Sequence, residues 1–472
     1  MTTSALLIRC LSMYFRIFLS GQAGTAGMGV YQLIISVYAV FALIVTSGLT
    51  VTVTRLCSEQ TVPGKMLYIT ERFILSGAVL GALAGAVMFL SADLFAGTIP
   101  DGSCAAPALR LLAPSLPLMS VSSVLRGFFA ARRKMIYTAA EQLTEQLCET
   151  GICILILRLK PPQAASQAIC AAVSGTTAAE TVSLALMLAL YLHEKKKIAA
   201  PPERTARLIS SALPIAIPCT ANAGLRSALS AAENILIPAG LMKYGADSCS
   251  ALAQYGSISA MAMPVIVFPS VFILPFASLI IPEMAQARSL HHTNGIRHMT
   301  QRMITGIMQF SIPVMMMLIF FSGEIGLFLY GSEQTGFYIA VLAPVVPLMY
   351  LDSGADGILK GLNEQTGYFL INLADSLIRV MLTFFLIPVT GIPGVIAVII
   401  FSELLNTALS FLRLMKVTGI SLNLRETVIS PVICSLIPCL ILHFIRLSAP
   451  AEIALCIIIC SSSMLLLKRV SR

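Results

Sequence analysis

Three glutamates, Glu141, Glu145 and Glu149, recur at four-residue intervals in an otherwise apolar stretch. On a helix that interval puts all three on one face. At 1.5 Å per residue, Glu149 lies about 18 Å along the helix from Tyr137, near the middle of a bilayer if the helix crosses one. A stripe of this kind either binds a proton or another cation or hydrogen-bonds to neighbouring helices; facing hydrocarbon would be too costly. Glu180, Asp352 and Glu403 are single carboxylates in other apolar stretches. Asp375 and Arg379 stand four apart on one face and are expected to pair with each other, a pair that a ligand could break if they line a cavity. Arg16 and Arg226 are cations in apolar surroundings, with Arg9 a lesser candidate. Arg226 follows the uncharged run Leu208–Leu225 and precedes Glu233-Asn234, and Pro214 and Pro218 can bend the helix that carries it. Arg16 and Arg226 also have plainer readings as interfacial anchors, or for Arg226 as the partner of Glu233. His291, His292 and His298 share one connection, but no Cys or carboxylate cluster completes a metal-ligand spacing, so no metal site is expected. No glycine-rich phosphate loop ending in Lys-Ser/Thr is present, which argues against ATP hydrolysis.

The elements that must position these residues are membrane spans. The 472-residue chain is 57% hydrophobic and only 11% charged, against about 25% charged in soluble domains. In lipid every backbone polar group must be satisfied within the protein, which leaves helices or a closed barrel. The apolar runs are continuous rather than alternating: Tyr31–Thr54, Phe73–Ala92, Met303–Gly323 and Thr427–Ile445 contain no Asp, Glu, Lys or Arg. About 20 such residues cross a bilayer. The pattern predicts an all-α polytopic protein of fourteen spans, centred near residues 11, 43, 82, 118, 148, 178, 217, 267, 313, 346, 378, 402, 436 and 460, the first of them short at its N-terminal end. Arg9 and Arg16 interrupt that first apolar stretch, so it does not read as a cleavable signal. Most of the twelve cysteines lie inside spans as small hydrophobes; Cys104 and Cys249 fall in predicted exterior connections, where a bridge between them is one option.

The net charge of +9 is a topology signal rather than a nucleic-acid footprint. Of the 31 Lys and Arg residues, 22 fall in the even-to-odd connections and the C-terminal tail, and four in the odd-to-even connections. Basic residues stay on the cytoplasmic side during insertion, so both termini are expected there, in a multi-pass protein of the plasma membrane.

The chain also repeats. Leu112-Ala113-Pro114-Ser115-Leu116-Pro117-Leu118-Met119 opens the fourth span and Leu342-Ala343-Pro344-Val345-Val346-Pro347-Leu348-Met349 the tenth; the two spans end Leu125-Arg126-Gly127 and Leu359-Lys360-Gly361. Tyr31 precedes Glu59 by 28 residues, as Tyr255 precedes Glu283. Spans one to six therefore match spans seven to twelve in the same orientation, the parallel-repeat plan of many transporters. The expected organisation is an N-lobe over 1–197, a C-lobe over 198–418 and two additional helices over 419–472.

Several segments together resemble one family. Gly27-Met28-Gly29-Val30-Tyr31-Gln32-Leu33, Ser47-Gly48-Leu49 and Thr54-Arg55-Leu56-Cys57-Ser58-Glu59 resemble the second span of the stage V sporulation protein B family. So do Ala231-Ala232-Glu233-Asn234-Ile235-Leu236-Ile237-Pro238, Tyr255-Gly256, Met261-Ala262-Met263-Pro264, Phe268-Pro269 and Ile281-Pro282-Glu283-Met284-Ala285. The resemblance covers nearly the whole chain. It implies a polysaccharide-type flippase of the multidrug/oligosaccharidyl-lipid/polysaccharide exporter superfamily, with two six-helix lobes in a MATE-like V around a central cavity. Such a protein moves a polyprenyl-pyrophosphate-linked saccharide from the inner to the outer leaflet by alternating access. The abbreviated first span departs from the family pattern.

An anionic pyrophosphate head needs a hydrated, cationic path, and arginine offers phosphate a permanently charged planar fork. The expected substrate-binding set is Arg226, Arg16, Arg379 and Asn234, with Glu145, Glu149, Glu180 and Asp375 as ion-coupling candidates. No cofactor is expected beyond coupling to a proton or cation gradient or the membrane potential. The expected partners are the lipid-linked saccharide and membrane lipids, not nucleic acid, and the protein is expected to be a monomer and not an enzyme. Two rival readings are a cation-coupled multidrug exporter of the same fold, which the glutamate stripe permits, and a membrane-embedded glycosyltransferase or polymerase, which the short predicted outer connections disfavour.

Overall fold

The computed structural model describes residues 2–100, 104–198, 208–420 and 424–445. These residues fold into helices joined by short connections, with no strand among them. In chain order the helices are α1 (Thr2–Ser58), α2 (Pro63–Ala96), α3 (Ala105–Leu112), α4 (Ser115–Ala131), α5 (Met135–Leu159), α6 (Ala165–Ile198), α7 (Leu208–Tyr244), α8 (Ser248–Tyr255), α9 (Met263–Val267), α10 (Leu274–Ser289), α11 (Thr293–Phe320), α12 (Ser322–Tyr330), α13 (Glu333–Leu342), α14 (Val345–Gly361), α15 (Gln365–Thr390), α16 (Ile392–Thr418) and α17 (Ser430–Ile445). Thirteen of the fourteen predicted span centres fall within helical segments, and the last, near 460, lies outside the described residues. By length and apolarity alone, eight described helices can cross a membrane, or nine when the bent pair α13–α14 is one span. Fourteen spans are consistent with that figure.

The predicted first and second spans form α1, which breaks at Gly24, where φ is +69° and ψ 178°. That left-handed backbone suits glycine and would strain any other residue. Helix runs from Thr2 to the break, about 33 Å at 1.5 Å per residue. The helix continues through Arg9 and Arg16, because arginine has good helix propensity and its long side chain can leave the apolar face.

The repeat is visible in local geometry. The fourth span is two helices, α3 and α4, joined at Ala113-Pro114, and the tenth is α13 and α14, joined at Ala343-Pro344 with a 55° bend. Proline lacks the N–H that would continue the helix, so the matching Leu-Ala-Pro motifs interrupt both spans at matching places. The two spans also seat their neighbours alike. A Cβ on Gly127 would lie 2.8 Å from the Thr50 carbonyl oxygen of α1, and one on Gly361 would lie 2.7 Å from that of Ile281 in α10. Small residues let the backbones meet in both cases. The eighth predicted span is the least regular: α8 runs into a π-helical turn (Gly256–Ala262), then α9, a 3₁₀ turn (Phe268–Phe272) and α10. Pro264, Pro269, Pro275 and Pro282 remove donors along its course.

By packing, the chain divides into two compact units, Met1–Gly256 and Ser257–Arg472. The sequence repeat places its boundary at 197/198 instead. Within the first unit α7 packs extensively on α1, which groups the seventh predicted span with the first six. The second unit has a core of Met284, Ile304, Ala355, Ile358, Leu359 and Leu414, drawn from α10, α11, α14 and α16. The cysteines Cys104 and Cys249 are both free, so the bridge between them does not form. Cys104 is buried at the start of α3 and Cys249 is exposed on α8.

Candidate functional site: two carboxylate–arginine clusters

The first unit gathers the glutamate stripe of α5 against α1, α4 and α6. Glu141 is fully buried. Its carboxylate accepts from Arg126 of α4 through Nη2 (2.6 Å to Oε1) and Nε (3.0 Å to Oε2), and from the Ser183 hydroxyl of α6 at 2.8 Å. The same guanidinium donates to Glu145 Oε2 at 3.3 Å. Glu180 of α6 is 1% exposed and lies within electrostatic reach of Glu145, Arg126 and Glu141. One turn beyond, Glu149 accepts from the Thr176 hydroxyl of α6 at 2.8 Å and from the Gln146 amide at 3.0 Å. Gln146 in turn accepts from the Ser12 hydroxyl of α1 at 2.6 Å. Arg16 donates to Gln32 at 3.3 Å within α1 and acts through space on Glu149. The stripe thus faces protein, and Arg16 joins it at the Glu149 end.

The second unit holds a related cluster between α15 and α16. Asp375, 5% exposed, accepts from the Ser402 hydroxyl at 2.6 Å. Arg379 donates through Nε to Ser402 at 2.8 Å, and its Nη2 lies 3.5 Å from Asp375 and 3.4 Å from Glu403. Asp352 of α14 accepts from the Tyr368 hydroxyl at 3.2 Å. Asp375 and Arg379 therefore pair, and Glu403 shares the arginine. The interval between Arg126 and Lys360 (360 − 126) equals that between Glu141 and Asp375 (375 − 141). Repeat-related helices thus each carry a buried carboxylate bound by a serine from the following span and by an arginine. The arginine's source differs: α4 supplies it in the first unit, whereas in the second it comes from the position that corresponds to Glu145.

Arg226 and Asn234 stand apart from both clusters on α7. Arg226 is exposed. Asn234 is half-buried two turns further on. Arg9 is half-buried on α1.

The family described as polysaccharide biosynthesis protein matches residues 1–288. The chain belongs to that family. Among curated proteins, stage V sporulation protein B of Bacillus subtilis (strain 168) is 22% identical over 466 residues, covering 96% of this chain and 90% of that protein. Lipid II flippase MurJ of the same organism is 27% identical over 160 residues, 31% of this chain and 29% of that protein. Among solved structures, a lipid II flippase MurJ in an inward closed conformation superposes with a TM-score of 0.77 at 12% identity, covering 100% of this chain and 99% of that one. An inward-facing multidrug resistance MATE family transporter of the MOP superfamily gives 0.69 at 13% identity, covering 89% and 95%. At these identities the superpositions establish a shared fold. This member of the polysaccharide biosynthesis family is a multi-pass helical membrane protein built on the MurJ/MATE plan.

Sequence reasoning missed the residue that organises the first cluster. Arg126, at the end of the fourth predicted span, counts among the 22 cytoplasmic-side basic residues, but it lies within α4 with its side chain only 22% exposed. The span map assigned it by charge alone, and a long side chain at a span's end can turn inward as readily as outward. The repeated Leu-Arg-Gly/Leu-Lys-Gly motif was the available signal. Ser183 and Ser402 carried none, since single serines are common in apolar helices.

Proposed function

We propose that the chain is a flippase that moves a polyprenyl-pyrophosphate-linked saccharide from the inner to the outer leaflet by alternating access. The observation that carries this reading is the relationship to stage V sporulation protein B along 96% of the chain, within a family described by polysaccharide biosynthesis. The partial match to a lipid II flippase supports it. On this reading the protein is a transporter and not an enzyme. It sits in the plasma membrane with both termini and the basic connections cytoplasmic, works as a monomer, and engages only its lipid-linked saccharide and the surrounding lipids. The functional lobes are the sequence repeats 1–197 and 198–418, with 419–472 accessory.

Arg226 is the leading substrate residue. It is an exposed guanidinium within an apolar helix, able to offer its fork to a phosphate. Asn234 stands on the same helix. Arg16 and Arg379 are already bound to side chains, so a phosphate would have to displace those partners. Glu145, Glu149, Glu180 and Asp375 are the ion-coupling candidates, drawing on a proton or cation gradient or the membrane potential. The test is translocation of a labelled lipid-linked saccharide by reconstituted Arg226→Ala and Arg226→Lys proteins at matched abundance. The alanine variant should be nearly inactive and the lysine variant partly active; wild-type rates in both would move the substrate site elsewhere. A second reading, a cation-coupled multidrug exporter, is favoured by one observation, the carboxylate clusters in both units.

A further inference from the structure

We propose that Glu145 and Glu180 form a proton-binding site inside the first unit, one proton held between two facing carboxylates. This names the ion for the coupling part of the preceding reading and rests on that reading only for its role in transport. The site itself stands on the geometry.

Glu180 is 1% exposed, and its Oε2 is buried without a hydrogen-bond partner among the described residues. A buried carboxyl oxygen without a donor is costly. On α6, Thr176 and Ser183 flank Glu180 and donate to Glu149 and Glu141, so the α5 side chain opposite Glu180 is Glu145, which in its ionised form is also an acceptor only. Neither can satisfy the other until one carries a proton, which turns it into an O–H donor to its neighbour. Charge leads to the same conclusion. Glu141, Glu145 and Glu180 bring three carboxylates to one guanidinium, Arg126, and binding one proton removes one of the two uncompensated charges. A metal cation is disfavoured because Arg126 already occupies the place between Glu141 and Glu145 where it would sit.

The other groups that face the pair are committed. From α1, the Tyr38 hydroxyl shares a hydrogen bond with Ser115 at 2.6 Å, and Arg16 acts on Glu149. From α5, Glu149 is held by Thr176 and Gln146. On α6, Ser183 donates to Glu141. The carboxylates of α2 are engaged elsewhere, Glu71 with Lys195 and Asp93 with Arg110 of α3, and Arg72 lies over the Tyr68 ring. A way in also exists, because Glu145 is 28% exposed at its side chain while Glu180 is sealed. Proton gain or loss would in addition shift the sharing of Arg126 between Glu141 and Glu145, which ties occupancy to the packing of α4 on α5.

Infrared difference spectroscopy of the purified protein, without lipid substrate, tests the site directly. The wild type should show a protonated-carboxyl C=O stretching band at neutral pH that shifts in D₂O. The band should be lost in Glu180→Gln or Glu145→Gln protein that retains its helical circular dichroism, and should persist in Glu71→Gln. A band that survives in both cluster variants, or no band in the wild type, overturns the proposal. Loss of the wild-type band on adding sodium ions would also overturn it, in favour of a metal cation. None of these outcomes depends on saccharide transport, so the site and the flippase reading fail separately.

Discussion

Replacing Arg126 by Leu should be among the most destabilising single changes in the first unit. Three guanidinium hydrogen bonds to Glu141, at 2.6, 3.0 and 3.2 Å, and one to Glu145, at 3.3 Å, would be lost together. Glu141 is 0% exposed and would keep only the Ser183 hydroxyl at 2.8 Å. Removing one partner of a buried pair costs about 3–5 kcal/mol, because the other charge is stranded. The guanidinium is itself 22% exposed, so the lower end, about 3 kcal/mol, is the expectation. Removing both partners should cost far less, since a buried pair replaced by apolar residues of similar volume is often neutral. The assay is a double-mutant cycle on reversible unfolding in mixed micelles, comparing Arg126→Leu, Glu141→Leu and the double variant. If Arg126→Leu costs under about 1 kcal/mol, the value of an exposed pair, the buried cluster is wrongly drawn.

The repeat-related close contact makes a second prediction: Gly361→Leu should lose about 1–3 kcal/mol through overpacking, because its Cβ meets Ile281 and Met284 at 2.7 Å. Gly306→Ala, with nothing within 4 Å, should be neutral or gain stability in the same unfolding assay. For topology, single cysteines in a cysteine-free background should label from outside at Glu333, and only after membrane opening at Lys196 and Arg297; outside labelling at Lys196 would refute the orientation. Arg226→Ala should weaken binding of a pyrophosphate-bearing lipid by roughly ten- to a hundredfold, the loss of one charged hydrogen bond, with unchanged unfolding because the side chain is exposed.

Much of the fold was legible because membrane burial leaves a coarse, redundant signal. The uncharged runs locate α1, α2 and α11, and the Leu-Ala-Pro motifs at 112–114 and 342–344 mark breaks that recur in both units. The chain's division was less legible: the repeat ends at 197/198, yet α7 packs with the first unit, and packing of that kind leaves no trace in periodicity. Within the clusters, the spacing of Asp375 and Arg379 foretold their pairing, because four residues on a helix fix the geometry. The link from Arg126 to Glu141 spans a turn between helices, and only the packing of α4 on α5 and α6 brings it about. Glu180 looked like one more isolated carboxylate until its neighbours on α5 were placed beside it.

The central claim is most directly tested by reconstituting the wild-type protein in vesicles. A labelled polyprenyl-pyrophosphate saccharide is loaded into one leaflet, and its appearance in the other is followed against a lipophilic cationic drug under the same gradients. The account predicts protein-dependent translocation of the saccharide lipid and none of the drug. Drug export without movement of the saccharide lipid would contradict it.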